Sequence, residues 1–380
     1  MGNSSEAAVS CLRLTTPGLK LAYPLDAEAH YEEIRQRLAP WRQDHPGNHP
    51  HRAAGYSGPW LENEWISGFE RQWAAAKARG QPLQSVFGPW IPLLIPWTSL
   101  WVNNKYAYPR ALLVALRAVL RPSVPYITLC QNDEGLEGRG ELPMRSIPNV
   151  CILSSGGYGH VPVPLLKQQE PLLAAPEMSQ RPLLVSYVGS LGNAPAALRT
   201  RMRDAVNASA GSGFRYAITH GLSAKFSALP MPRIMERLIS RIAGVESWRD
   251  VMSHSKLSLC PRGFGRSSYH LAETVQMGRV PVYVYDAADD FWVPYEKLFR
   301  RSLGYVTDVD SLGALLTQLH AAPDANEGLA RRERFAEKVR DSHFSMRGVV
   351  AQIGRFLTAP RHADLLCRPL PRTRCGGCMG

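Results

Sequence analysis

Short apolar runs recur along the second half of the chain, each followed by a stretch whose apolar positions fall at helical spacing. Leu183-Leu184-Val185-Ser186-Tyr187-Val188 reads as a strand, 195–207 as a helix, 215–219 as a strand, 231–242 as a helix and 257–260 as a strand. The alternation continues with a helix at 269–277 and a strand at 280–285. The run Val280-Pro281-Val282-Tyr283-Val284-Tyr285 is apolar without alternation. That is the pattern of a strand covered on both faces, so a parallel sheet between helices is expected. Helical patterns at 312–319, 327–340 and 348–357 are expected to close this half. The first half alternates more weakly from Trp60 onward, with a helix at 62–79 and apolar segments at 92–96, 126–129 and 150–153. A proline-rich stretch at 162–182 separates the halves, and no repeat of fixed period is present.

A length of 380 residues exceeds what one core usually organises, so two domains are expected. The pattern places an N-terminal extension at 1–58, a first domain at 59–175, a second at 176–358 and a basic, cysteine-containing tail at 359–380. Hydrophobic residues make up 45% and charged residues 20%, the balance of a soluble globular chain. With 30 prolines and 31 glycines, the connections are too punctuated for a helical bundle.

The formal charge of +12 turns the partner toward anions such as nucleotide diphosphates, nucleic acid or sulfated glycans. It is spread along the chain, so a solvated basic surface explains it equally well. Nucleic acid is disfavoured, because the Lys and Arg residues are not interleaved with aromatics in a recognisable binding module. Seven cysteines are too sparse for a disulfide scaffold. Cys367, Cys375 and Cys378 contain one C-x-x-C, short of the four ligands of structural zinc. His45, His49 and His51 lie in a His/Pro/Gly stretch without a nearby cysteine or carboxylate pair and read as solvated. No run of about 18 apolar residues occurs, so no membrane span is expected. The N-terminus carries no basic-then-apolar signal.

Residues 257–285 read as strand, loop, helix and strand, with the loop 261–268 leading straight into a helix N-terminus. Such a turn binds anions, because unpaired backbone N–H groups and the helix dipole point at the ligand. Gly263 and Gly265 permit close backbone approach, and Arg262 and Arg266 add charge-assisted bonds to phosphate. Ser267 and Ser268 can cap the helix or donate to phosphate. Glu273, in the first turns of the helix, can accept paired hydroxyls such as those of a ribose, or is simply well placed near a helix N-terminus.

The segments Leu259-Cys260-Pro261-Arg262-Gly263, Gly265-Arg266-Ser267-Ser268, Leu271-Ala272-Glu273 and Gly278-Arg279-Val280-Pro281-Val282 resemble the C-terminal signature of exostosin-type glycosyltransferases. Upstream, Gln131-Asn132-Asp133-Glu134-Gly135, Gly156-Gly157-Tyr158-Gly159-His160 and Ser186-Tyr187-Val188-Gly189-Ser190 are similar to family blocks in the family's order. The resemblance implies a GT-B architecture, two Rossmann-like domains facing each other across a cleft, with the donor held mainly by the second. It also implies inverting transfer from a nucleotide sugar, usually a UDP-sugar, to a hydroxyl of a glycan or glycoprotein. A Golgi or secretory location follows from the resemblance. This chain shows no anchor, which leaves a cytoplasmic location as the alternative.

The chemistry needs a stabilised diphosphate leaving group and a base for the acceptor hydroxyl. His160 titrates near neutrality in its ordinary state and sits on the half expected to hold the acceptor; it serves as the base or shapes the loop, and Asp133 and Glu134 are rivals. Asp308-Val309-Asp310 mimics a metal-binding carboxylate pair, but Asp310 and Ser311 precede a helix where capping accounts for them, so no obligatory metal is expected. Trp90, Trp97, Trp101, Tyr106 and Tyr108 are candidates either for stacking on sugar faces or for the core. A non-catalytic glycan-binding protein of the same fold is the competing reading.

Overall fold

The structure, a computed structural model, describes residues 10–53, 55–219, 247–288 and 291–371. Among the described residues two sheets form, and their strands pair in parallel throughout. The α/β expectation therefore holds, with one sheet in each of two compact units.

The N-terminal unit begins with α1 (Ala27–Arg37), α2 (Leu61–Ala78), α3 (Gln84–Phe87), β1 (Ile91–Pro92), α4 (Trp97–Asn103) and α5 (Arg110–Val119). It continues with β2 (Tyr126–Cys130), β3 (Val150–Ser154) and β4 (Val161–Pro162), which form a sheet in the order β1-β2-β3-β4. All five residues of β2 and of β3 are buried, which is why these strands read as mainly apolar segments, with Thr128 and Ser154 as their buried polar residues. Residues before Gly58 do more than extend this unit. The α1 positions Ala27, Tyr31 and Ile34 are buried, and His30 Nε2 meets the Tyr126 hydroxyl at 2.7 Å. His51 stacks on Trp60 at 4.6 Å between ring centroids, and burial pushes its pKa down to about 4. It is a packed neutral histidine, not the solvated one expected.

The second unit comprises β5 (Leu183–Val188), α6 (Leu198–Ser209), β6 (Tyr216–Thr219), α7 (Trp248–Ser253), β7 (Ser255–Pro261), α8 (Tyr269–Gln276) and β8 (Pro281–Tyr285). It adds β9 (Tyr305–Asp308), α9 (Leu312–Ala321) and most of α10 (Ala325–His343). The expected helix at 231–242 lies outside the described residues. Its core joins Val185 on β5 and Leu257 and Leu259 on β7 with Leu198, Met202 and Val206 on α6. Those three α6 positions, four apart, form one helical face. The sheet order is β6-β5-β7-β8-β9, so the chain builds outward from β5 first to one side and then to the other.

The last helix, α11 (Met346–Thr358), was expected to close the second domain. It belongs instead to the N-terminal unit, packed on α2 and α3. Gly88, held at φ +58°, makes that packing possible: a Cβ there would stand 2.0 Å from the Leu357 carbonyl oxygen. The segment Trp292–Glu296 also lies in the N-terminal unit, where Trp292 Nε1 donates to the Ser154 carbonyl at 3.1 Å. A Cys11–Cys367 disulfide joins two further segments of the same unit, so Cys367 is not part of a tail cluster; Cys375 and Cys378 lie outside the described residues. No helix of the described residues is long and apolar enough to cross a membrane.

Candidate functional site

In an open parallel sheet, ligands bind beyond the carboxyl ends of the strands where the strand order reverses. In the second unit that point lies between β5 and β7. The loop after β7, 261–268, closes on itself through Gly263 N–H to the Ser267 carbonyl at 2.9 Å. Ser268 is the N-cap of α8, its hydroxyl accepting from His270 N–H at 3.2 Å. Among the described residues, the N–H groups of Gly265, Ser267 and Ser268 donate to no protein acceptor, although all three residues are buried. Buried N–H groups are rarely left unpaired, so several together mark a place for an anion.

Arg262, expected to bond phosphate, is engaged within the protein. Its buried guanidinium folds back into its own loop, donating to the Gly265 carbonyl at 3.1 Å and the Phe264 carbonyl at 2.9 Å, and it pairs with Asp286 at 3.2 Å. Three fixed partners make it a brace that shapes the loop. Arg266 is fully buried, with its carbonyl accepting from the Tyr283 hydroxyl at 2.7 Å. Glu273 lies five residues into α8, mostly buried, with Oε2 3.6 Å from His270 Nδ1.

Sequence reasoning missed Arg199, in the first turn of α6. Its Nη1 donates to the Ser190 carbonyl at 2.7 Å and its Nε to the Arg262 carbonyl at 3.2 Å, so one guanidinium links the loops after β5 and β7. Nη2 has no partner among the described residues and lies 3.9 Å from where a Cβ on Gly263 would stand. Burial pulls its pKa below the usual arginine range, yet it stays charged, since arginine starts so high. A signal for it exists. Residues 186–199 repeat the strand, glycine turn and helix grammar of 257–277, with an arginine in the helix start.

In the N-terminal unit the loops after β2 and β3 are pressed together. A Cβ on Gly156 would stand 2.2 Å from the Asn132 carbonyl oxygen, and one on Gly135 would stand 2.4 Å from that of Tyr158. Only glycine allows this approach. Asp133, half-buried, rides on the first loop. The His160 ring is buried, and Nδ1 accepts the Ile152 N–H at 3.2 Å. The neutral ring therefore carries its hydrogen on Nε2, which leaves no lone pair to take a proton, and burial pushes its pKa down to about 4.

Asp308 accepts from the N–H and hydroxyl of Ser311 at 2.8 and 3.1 Å, while Asp310 pairs with Arg201 at 2.7 Å. Asp308 thus holds Ser311, the N-cap residue of α9, in place, while Ser311 makes no side-chain cap bond and Asp310 is turned to Arg201. Among the described residues no group of three or more His, Cys, Asp or Glu is placed to hold a metal. Trp90, Trp97 and Tyr108 are core residues. Trp101 and Tyr106 meet edge-on at 5.1 Å, with Tyr106 half exposed.

No protein-family model matches the chain, and no curated protein matches it. Among solved structures it aligns with TarM over 64% of its own length and 52% of that protein's, at 8% identity and a TM-score of 0.35. The chain thus spans about half the length of TarM. It also aligns with the glycosyltransferase VinC, determined in complex with DTDP, over 93% of its length and 86% of that chain, at 14% identity and a TM-score of 0.29. Likenesses this distant carry no functional argument, and the site's own geometry has to.

Proposed function

We propose that the protein is an inverting glycosyltransferase of the exostosin type, with GT-B architecture, using a UDP-sugar donor and a hydroxyl of a glycan or glycoprotein as acceptor. The observation that carries this reading is the crevice between the loops after β5 and β7. Among the described residues the N–H groups of Gly265, Ser267 and Ser268 and Nη2 of Arg199 have no protein acceptor, and Nη2 stands 3.9 Å from where a Cβ on Gly263 would be, a donor set that suits a diphosphate. Glu273 is the candidate for the ribose hydroxyls.

In the transfer step the acceptor oxygen attacks the anomeric carbon as the bond to the diphosphate breaks. The electron pair leaves with the nucleotide, whose charge the guanidinium and N–H groups stabilise without a metal. Asp133 takes the acceptor proton. His160, sealed with Nδ1 occupied, supports the loop instead. The Cys11–Cys367 disulfide supports an oxidising, secretory compartment.

A thermal-shift panel of nucleotides and nucleotide sugars tests the reading. A UDP-sugar at 100 times its Kd should stabilise the native state by about 2.7 kcal/mol. A panel in which no nucleoside diphosphate shifts the transition contradicts it. Donor hydrolysis, measured alongside, separates the enzyme from a glycan-binding protein of the same fold.

A further inference from the structure

Glu62 sits in the first turn of α2 with 1% of its surface exposed. Its carboxylate accepts from Gln131 N–H at 2.6 Å, from Thr98 N–H at 3.0 Å and from the Thr98 hydroxyl at 2.5 Å. In return the Gln131 carboxamide oxygen accepts from Glu62 N–H at 3.0 Å. This reciprocal pair ties α2 and α4 to the end of β2, where the loop bearing Asp133 begins. It also fixes the orientation of the amide, because only the oxygen can accept. Gln131 Nε2 is left buried without a hydrogen-bond partner, a donor held at the carboxyl end of a parallel strand.

We propose that Glu62 is a positioning residue for glycosyl transfer, its ionised carboxylate anchoring Gln131 and thereby the loop that presents Asp133 to the acceptor. The proposal rests on the transfer reading above. Three donors converge on the carboxylate, and the ionised form accepts all three, whereas protonation takes up one oxygen and weakens the hold on the Gln131 and Thr98 N–H groups. Burial nevertheless pushes the Glu62 pKa up to about 7. The titratable groups facing it are the Cys130 thiol on β2 and the Tyr108 phenol ahead of α5, both raised by burial and so neutral. A carboxyl with a raised pKa is protonated below that value. The anchor is therefore held above pH 7 and released as pH falls through it.

The test compares the wild type with Glu62→Gln and Glu62→Asp. In the wild type, kcat should fall on an acid limb near pH 7 while KM for the UDP-sugar stays level. In Glu62→Gln, kcat at pH 8 should drop roughly 10- to 100-fold, the effect of one hydrogen bond to a charged group, and the limb should vanish. Glu62→Asp should keep a limb at reduced kcat. Hydrogen exchange of residues 131–135, corrected for the intrinsic effect of pH, gives a readout independent of turnover. It should quicken below pH 7 in the wild type and be quick at every pH in Glu62→Gln. A wild type that transfers sugar, with limb and exchange both unmoved in Glu62→Gln, overturns the proposal alone. A wild type that neither binds nor uses a nucleotide sugar overturns the transfer reading, and this role with it.

Discussion

Arg199→Ala is expected to weaken UDP binding by roughly 10- to 100-fold, the effect of losing one hydrogen bond to a charged group at about 1.5–3 kcal/mol. The size follows from its place. The guanidinium already spends Nε and Nη1 on the Arg262 and Ser190 carbonyls, so Nη2 is held over the crevice before any ligand arrives. Arg199→Lys should rescue little, because an ammonium carries charge but lacks the fork that binds two carbonyls and a phosphate at once. Arg262→Ala should behave differently. It removes the brace of the loop, so the expected loss is in thermal stability as well as affinity. Calorimetric titration beside thermal unfolding separates the two, and an unchanged UDP affinity in Arg199→Ala would remove the crevice from the account.

Asp133→Asn should lower turnover by about 10²–10⁴-fold, the usual contribution of general-base catalysis, while UDP affinity stays near wild type. Asp133 and the proposed donor residues Arg199 and Gly265 to Ser268 lie in separate units of the chain, so the substitution is expected to leave nucleotide contacts in place. His160→Ala should instead cost stability, because it empties a buried site and orphans the Ile152 N–H. Steady-state kinetics with titration calorimetry on both variants checks this. Near-normal turnover in Asp133→Asn, with collapse in a well-folded His160→Ala, would return the base to His160.

How much was legible varied with the physics behind each signal. β5 and β8 were readable to within a residue, because strands buried on both faces are apolar at nearly every position. The loop before α8 was readable as a turn into a helix, because glycines followed by serine are the composition of a turn that ends in an N-cap, here Ser268. The unit to which α11 belongs was not readable, since its apolar stripe demands a partner without naming one. The burial of Glu62 and His160 was not legible for a common reason. Burial of a polar side chain is decided by distant residues, here Thr98 and Gln131 for the first and Ile152 for the second. Arg199 looked like any arginine on a surface helix until the sheet order placed its first turn at the β5–β7 crevice.

A crystal structure of the protein with UDP tests the central claim most directly. The account predicts the diphosphate between the loops after β5 and β7, with Arg199 Nη2 and the N–H groups of Gly265, Ser267 or Ser268 at about 2.7–2.9 Å from its oxygens. A nucleotide bound elsewhere, or a crevice that stays empty at saturating UDP, would contradict it.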